Sequence, residues 1–142
     1  MSAPNQPIPD WLFAHIQQAR DLFGVGGAEW HITAKMSDKP GGSSTSDGTC
    51  QFNFRYLNAT LEFNTSLENN SNGHETAIHE VGHVALAEIE EVVEGIVMQI
   101  PEERRDFFRE QFGDAIERYL QRISRSFVYH FDIQQKEEAD AA

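Results

Sequence analysis

The most informative segment of the chain reads NGHETAIHEVGHVALAEIEEVVEGI, from Asn72 to Ile96. Apolar residues recur in it at steps of three and four, which is the pattern of a helix with one buried face. The members of this stripe are Ile78, Val81, Ala85, Ile89, Val92 and Ile96. Asn72, followed three residues later by Glu75, resembles a capping box at the start of a helix. The segment therefore predicts one amphipathic helix over residues 72–96.

The predicted helix contains the pentapeptide His79-Glu80-Val81-Gly82-His83. Two histidines four residues apart share one face of a helix, so both imidazoles can bind the same metal ion. Glu80 projects toward the same side, where it can take a proton from a water that the metal activates. This H-E-x-x-H spacing predicts a zinc-dependent hydrolase. The alternative is that both histidines are partly exposed residues beside a core stripe.

The length and composition indicate a single cytoplasmic domain. A chain of 142 residues with 39% hydrophobic residues and ten Phe has the material for one core. Its longest apolar run is too short to span a bilayer, and its N-terminus lacks the pattern of a signal peptide. The single cysteine, Cys50, excludes an internal disulfide and fits a reducing compartment. We therefore expect a cytoplasmic protein with no membrane partner.

The charge of the chain argues against a nucleic-acid partner. The formal net charge is −12, from 11 basic and 23 acidic residues. An acidic surface repels phosphate backbones, and nucleic-acid binding needs a cluster of Lys and Arg. Arginines do gather between Arg104 and Arg125, but acidic residues interleave with them, as on an ion-paired helix surface. We expect no nucleic acid among the partners.

The chain before the histidine motif predicts one helix and a small sheet. The helix begins near Asp10, which is a suitable cap. Its stripe at helical spacing is Leu12, Ile16, Ala19 and Phe23. Apolar and polar residues then alternate near 30–36, 50–56 and 59–63, which predicts an antiparallel sheet of about three strands. Residues 1–9, which include three prolines, are predicted to form an extended arm.

The chain after the motif predicts a C-terminal helix. Pro101 suits its first position, and the short connection before it turns the helix back on the motif helix. Its apolar stripe is Phe108, Phe112, Ile116, Leu120, Ile123 and Phe127. Residues 134–142 are predicted to be a flexible, solvated tail. The fold class is therefore α+β, with residues 1–142 in one domain.

A catalytic zinc site usually has three protein ligands and one open position, so a third ligand must come from elsewhere. The C-terminal helix is the natural donor. Glu110 and Glu117 lie seven residues apart and therefore on nearly the same face, while Glu103 and Asp114 point further toward solvent. Helical geometry leaves Glu110 and Glu117 both open. The alternative for each carboxylate is a solvated residue paired with an arginine.

Other polar residues are weaker candidates. His74 lies about 140° around the helix from His79 and is predicted to be a first-turn residue rather than a ligand. His15 and His31 have no partner at metal-binding spacing and are interpreted as structural or exposed. Cys50 is predicted to be a small strand residue, with a latent zinc ligand as the alternative.

Two further features concern the substrate. A donor to the carbonyl oxygen could come from Tyr119, Tyr129 or His130, among which the sequence does not choose. The strand containing Leu61 to Asn64 can pair with an extended peptide if it lies at the edge of the sheet. The sequence indicates neither a particular peptide nor an oligomeric state.

The residues Ile78-His79-Glu80-Val81-Gly82-His83-Val84 resemble the motif helix of the gluzincins, zinc peptidases with a Glu ligand on a later helix. More closely, the chain resembles small metallopeptidases found in phage and prophage genomes. The family also has a Glu in a later helix that is followed five residues on by Arg-Leu. The last helix here has a similar segment, Glu117-Arg118-Tyr119-Leu120-Gln121-Arg122-Ile123. The resemblance implies a minimal zincin-like fold, zinc as cofactor, a peptide or protein substrate, and Glu117 as third ligand. The N-terminal arm, the loop 37–49 and the tail lie outside it.

Two functions are compatible with these features. The first is a zinc metallopeptidase in which Glu80 is the general base and His79, His83 and Glu117 bind the metal. The second is an interaction protein that keeps a zincin-like fold with a structural zinc, such as a phage-encoded modulator of a host protein. The second is motivated by size, because 142 residues leave little chain for a second subdomain that walls a deep cleft.

Overall fold

The computed structural model describes residues 7–141, which form four α-helices and a three-stranded sheet. The helices are α1 (Asp10–Phe23), α2 (Ser71–Ala85), α3 (Ala87–Val97) and α4 (Glu102–Ala141), and the strands are β1 (His31–Ser37), β2 (Gly48–Asn53) and β3 (Asn58–Asn64). The predicted α+β class, with an N-terminal helix, a small sheet and a C-terminal helix, is confirmed. Of the predicted N-terminal arm, residues 1–6 lie outside the described residues, and residues 7–9 precede α1 without helix or strand.

The sheet has the order β1-β3-β2, so β3 is its central strand. β2 and β3 are antiparallel, with Gly48 opposite Phe63. β1 and β3 are parallel, with His31 opposite Asn58. The prediction of an antiparallel sheet is therefore right for one pair and wrong for the other. The alternation of apolar residues identifies a strand but carries no information on its direction, which here follows from the insertion of β3 between the two earlier strands.

The hydrophobic core lies where α1 and α2 pack against the sheet. Its central side chains come from three elements: Leu12 and Ile16 of α1, Leu61 and Phe63 of β3, and Ile78 and Val81 of α2. Each fully buried aliphatic or aromatic side chain stabilises the fold by about 1.5–3 kcal/mol relative to an exposed one. The core therefore fixes the rotation of α2 about its axis, and with it the direction of the face that carries the histidines.

The start of α2 differs from the predicted one. Asn70 is the cap, and its side-chain oxygen accepts a hydrogen bond from the backbone N–H of Gly73 at 3.0 Å. Asn72, the predicted cap, lies inside the helix, and its amide donates to an Asp47 carboxylate oxygen at 3.3 Å. Both asparagines are chemically suitable caps, so composition alone does not choose between them.

The segment 72–96 forms two helices rather than the one predicted. α2 ends at Ala85, and Leu86, with φ −92° and ψ 2°, separates it from α3. As a result Ile89, Val92 and Ile96, which were predicted to be core residues, are 51%, 60% and 58% exposed. The apolar spacing continues through the break without Gly or Pro, so periodicity does not detect it.

The predicted stripe of α4 is confirmed in part. Ile116 and Leu120 are buried, while Phe112, Ile123 and Phe127 are only half-buried. The buried line continues instead through Ser124 and Val128, which the prediction did not include. Phe108, a predicted core residue, is exposed because it precedes the part of α4 that packs on α2. Residues 134–141, predicted to be a flexible tail, continue α4 as exposed helix, since they include strong helix formers and no Gly or Pro. Residue 142 lies outside the described residues. None of the described helices has both the length and the apolar character needed to cross a membrane.

Candidate metal centre

His79 and His83 occupy one face of α2, one turn apart. Their ring centroids are 5.1 Å from each other. The residues before and between them, Ile78 and Val81, point into the core on the opposite side. Because the core holds α2 in this rotation, both imidazoles face α4 rather than the sheet. This confirms that the two histidines share a face, as their spacing predicts.

Glu117 of α4 reaches both histidines. Its two carboxylate oxygens lie 2.8 Å from Nε2 of His79 and 2.9 Å from Nε2 of His83. One donor atom from each of the three residues lies within 4.8 Å of the others, and no other such group of His, Cys, Asp and Glu occurs within residues 7–141. Glu110, the other carboxylate that the sequence left open, is exposed two turns earlier and lies outside this group. Glu103 and Asp114 are also exposed.

A close helix–helix contact at Gly82 brings Glu117 to the histidines. A Cβ atom at position 82 would stand 2.5 Å from Cδ2 of Leu120 and 3.3 Å from Cζ of Phe23. Leu120 follows Glu117 by three residues and lies on an adjacent part of the same helix face. A side chain at position 82 would therefore force Leu120 or α4 to shift. The Gly in the motif is therefore part of the geometry of the site.

The three donor atoms fit a zinc ion. Two imidazole nitrogens and a carboxylate are ligands that zinc accepts, at about 2.0–2.2 Å. Donors at that distance in tetrahedral geometry stand about 3.3 Å apart. The 2.8 Å and 2.9 Å contacts, which use different oxygens of Glu117, would have to open by about half an ångström, and any donor pair near the 4.8 Å limit would have to close. Burial lowers the pKa of His83, although Glu117 acts in the opposite direction. The neutral imidazole that burial favours is the form that binds metal.

Glu80 is a buried carboxyl group next to these donors. It is 6% exposed, and no hydrogen bond or ion pair joins its side chain to another residue in the described part of the chain. Burial, assisted by the negative charge of Glu117, raises its pKa from 4.5 to about 8. A Cβ on Gly48 would stand 3.2 Å from its Cγ, so β2 passes close over this side chain. Such a group can both accept and release a proton near neutral pH.

A cleft of about 450 Å³ opens over the site between β2, α2 and α3. Its lining residues are Gly48, Thr49, Cys50, Phe52, His79, Glu80, His83, Glu90 and Glu117. A smaller adjoining cleft of about 220 Å³ reaches His79 and Glu80 from the start of α2 and includes Asp47, Glu75 and Gln121. The donor atoms and Glu80 are therefore accessible to a ligand, as a catalytic site requires.

Glu90 lines the larger cleft, and the sequence interpretation missed it. The break at Leu86 turns α3, and this residue of its first turn remains at the site. Burial raises the pKa of Glu90, and the negative charge of Glu117 adds to the effect. A signal was present in the sequence, because Glu90 follows His83 by seven residues and so continues its face over two helical turns.

Several predicted substrate features lie elsewhere. Tyr119, Tyr129 and His130 are exposed and line neither cleft at the site. The strand 61–64 belongs to β3, whose two edges are both paired, so it is not the edge that the sequence suggested. The edge beside the cleft belongs to β2 instead. The sequence could not identify β2 as the strand beside the cleft, because the alternation of apolar residues does not give the order of the strands.

Cys50 and His74 take up well-defined positions outside the donor group. Cys50 lines the cleft as a β2 residue, and burial, followed by the charges of Glu80 and Glu90, raises the pKa of its thiol to about 12. His74 lies in the first turn of α2, as predicted, and stacks on His15 with ring centroids 3.9 Å apart. His31 is the exposed first residue of β1.

Comparisons with protein-family models, with curated proteins and with solved structures gave no match to this chain. The resemblance to the gluzincins therefore stays a prediction, which depends on the motif residues and their geometry.

Proposed function

We propose that the protein is a zinc-dependent metallopeptidase in which His79, His83 and Glu117 bind the metal. One observation carries this proposal. Three donor atoms of the kind that bind zinc converge within 4.8 Å beside a buried carboxyl group that has no protein partner, and all of them border an open cleft. Structural zinc sites are closed by four protein ligands, whereas catalytic sites keep one position free. The three-residue set supports the catalytic kind.

Glu80 is the general base of the proposed reaction. The chemistry that zinc supplies when bound is Lewis acidity toward a water and a peptide carbonyl. Glu80 adjoins His79 in the chain and borders the same cleft, so its carboxylate can take the proton that the attacking water loses. The same carboxyl group can then pass this proton to the leaving amine.

The free edge of β2 is a suitable place for an extended substrate. β2 pairs with β3 on one side only, and Gly48, Thr49 and Cys50 border the cleft. A peptide that adds to this edge as a strand would form main-chain hydrogen bonds and run past Glu80. Such pairing recognises the backbone of a peptide, so it favours a peptide or protein substrate over a small molecule.

We also propose a cytoplasmic setting and no nucleic-acid partner. Cys50 is a free thiol, which suits a reducing compartment. The net charge of −12 opposes the binding of phosphate backbones.

A second function is favoured by the surface of α3. Ile89, Val92 and Ile96 form an exposed apolar row on this helix. Contiguous apolar residues on a surface are typical of contacts with other proteins. The second proposal is therefore an interaction protein in which the zinc is structural and hydrolysis is absent.

Turnover separates the two functions. Zinc-loaded protein is incubated with a library of internally quenched peptides, beside a Glu80→Gln variant that retains the metal. Cleavage by the wild type and not by the variant supports the peptidase. Zinc bound at one ion per chain without cleavage of any peptide overturns the peptidase proposal and leaves the interaction protein. A contaminating protease would cleave the peptides equally in the wild-type and Glu80→Gln samples, so equal cleavage in both reveals it.

A further inference from the structure

The Glu90 side chain at the site has a carboxylate oxygen without a hydrogen-bond partner. It is half-buried on α3, and its Oε2 atom is enclosed without a hydrogen-bond partner from residues 7–141. Thr49 Oγ1 is the other enclosed side-chain oxygen without a partner in that part of the chain, and it lines the same cleft. Buried polar groups in folded proteins nearly always have partners. Thr49 of β2 and Glu90 of α3 both border this cleft, so a ligand bound there could supply the missing partners.

Glu90 forms no ion pair within residues 7–141, although it shares a further cavity of about 200 Å³ with Arg109 of α4. The lining residues of the two clefts include Asp47, Glu75, Glu80, Glu90 and Glu117, but no Lys or Arg. Arg109 is the basic residue that α4 places against α3, and its guanidinium pairs with Glu94, with Nε 3.1 Å and 3.2 Å from the two carboxylate oxygens. The guanidinium of Arg109 is therefore already paired with another carboxylate of α3.

A bound metal does not supply the missing partner of Glu90. Zinc held by His79, His83 and Glu117 would leave Glu90 outside its ligand set. The enclosed oxygen of Glu90 would therefore still lack a hydrogen-bond donor. A carboxylate in a partly desolvated site is stabilised by an opposite charge that also donates hydrogen bonds. A positively charged N–H group of the bound substrate would supply that donor.

We propose that Glu90 is a specificity-determining residue and that it binds a cationic group of the substrate. This inference rests on the proposed peptidase function. The group is a lysine or arginine side chain near the scissile bond, or the free amino group of the substrate's first residue. All of these are N–H donors with a positive charge, and the tests below tell them apart.

Binding is measured separately from hydrolysis. Zinc-loaded Glu80→Gln protein is titrated with fluorescent peptides that share one uncharged sequence. They differ at a single position, which carries Lys, Arg, Gln or Glu, and each is made with a free and an acetylated N-terminus. We expect Lys or Arg peptides to bind at least about tenfold more tightly than Gln peptides, because a hydrogen-bonded charge pair replaces a neutral contact. The preference should weaken with added salt.

Two further variants in that background assign the effect. Glu90→Gln should bring the affinity ratio of Lys to Gln peptides close to one. Glu91→Gln changes the neighbouring carboxylate, which is exposed and outside the cleft, and should keep the ratio. Zinc content and thermal unfolding are recorded for each variant. If acetylation weakens binding of every peptide and Glu90→Gln removes that difference, the cationic group is the N-terminal amine. If the preference for Lys or Arg persists in acetylated peptides, it is a side chain.

The outcomes separate this inference from the proposed function. Cleavage of peptides by the wild type with no preference for a cation, or an unchanged ratio in Glu90→Gln, overturns the role of Glu90 and leaves the peptidase in place. Absence of cleavage with a cation preference that Glu90→Gln removes overturns the peptidase and supports the role of Glu90 in binding. Absence of any peptide binding overturns the inference.

Discussion

Gly82 of α2 lies directly against Leu120 of α4, so a Cβ at position 82 would stand 2.5 Å from the Cδ2 atom of Leu120. Glu117 is one turn before Leu120, so the same contact sets the distance from its carboxylate to the two histidines. The glycine inside the H-E-x-x-H motif is thus what lets two helices build one site. The packing of α2 on α4 and the geometry of the candidate metal centre therefore both depend on the contact between Gly82 and Leu120.

We expect Gly82→Ala to weaken zinc binding and to destabilise the protein. The added methyl would lie 2.5 Å from Leu120 Cδ2, so α4 or the leucine must move. Overpacking of this kind costs about 1–3 kcal/mol in the free energy of unfolding. Gly113→Ala is the matched control, because a Cβ there meets nothing within 4 Å. Urea unfolding and zinc titration of both variants test the expectation. Equal zinc affinity in Gly82→Ala and the wild type would show that the contact does not position Glu117.

We expect Glu80→Gln to keep the metal and to lose hydrolysis. A general base contributes about 10²–10⁴-fold in rate, and the amide cannot accept the proton. Because Glu80 is a buried carboxyl group without a partner and close to Glu117, the metal-free variant should be no less stable than the wild type. Glu88→Gln, an exposed change on α3, is the control. Peptide cleavage by Glu80→Gln at the wild-type rate would assign the proton transfer to another group, and loss of zinc would make Glu80 structural.

His74 should make the metal-free protein less stable in mild acid. It is 3% exposed, its Nε2 lies 3.0 Å from Oε1 of Gln18, and burial, followed by the neighbouring His15, lowers its pKa from 6.5 to about 4, with Asp132 opposing. The unfolded chain therefore takes up a proton that the folded chain refuses between pH 6.5 and 4, and the free energy of unfolding falls as the pH drops through that window. We expect a loss on the order of 1 kcal/mol between pH 7 and pH 5 from this residue.

The contribution of His74 is isolated by comparison with His74→Gln. Both proteins are unfolded in urea at several pH values with a chelator present, so that metal release does not contribute. The two proteins are otherwise identical, so the difference between the two curves belongs to position 74. A difference that is independent of pH from 7 to 4 would show that His74 keeps an ordinary pKa in the folded protein.

The part of the site that could be predicted is the part that one helix determines. His79, Glu80 and His83 are related by the helical repeat alone, so their common face follows from the sequence. Glu117 comes from a different helix, and helical geometry could not separate it from Glu110. The resemblance to the gluzincins selected Glu117, and the structure brings that residue to the histidines.

The part that could not be predicted depends on how elements meet. The bend at Leu86 has no Gly or Pro to mark it, and it exposes Ile89, Val92 and Ile96. The parallel pairing of β1 with β3 depends on the strand order, which alternation of apolar residues does not contain. The role of Gly82 is visible only once Leu120 is seen against it.

The central claim is that His79, His83 and Glu117 bind one zinc ion, and zinc titration against a competing chelator tests it most directly. The wild type should bind one ion per chain and become more resistant to thermal unfolding when it is loaded. Mutation of a residue that hydrogen-bonds to a metal ligand typically lowers metal affinity by about 10–100-fold. Removal of a ligand itself should cost more, so we expect the zinc affinity of Glu117→Ala to fall by at least about 100-fold. Glu110→Ala, a change at an exposed residue of the same helix, should stay close to the wild type. Stoichiometry near zero in the wild type, or wild-type affinity in Glu117→Ala, would contradict the account.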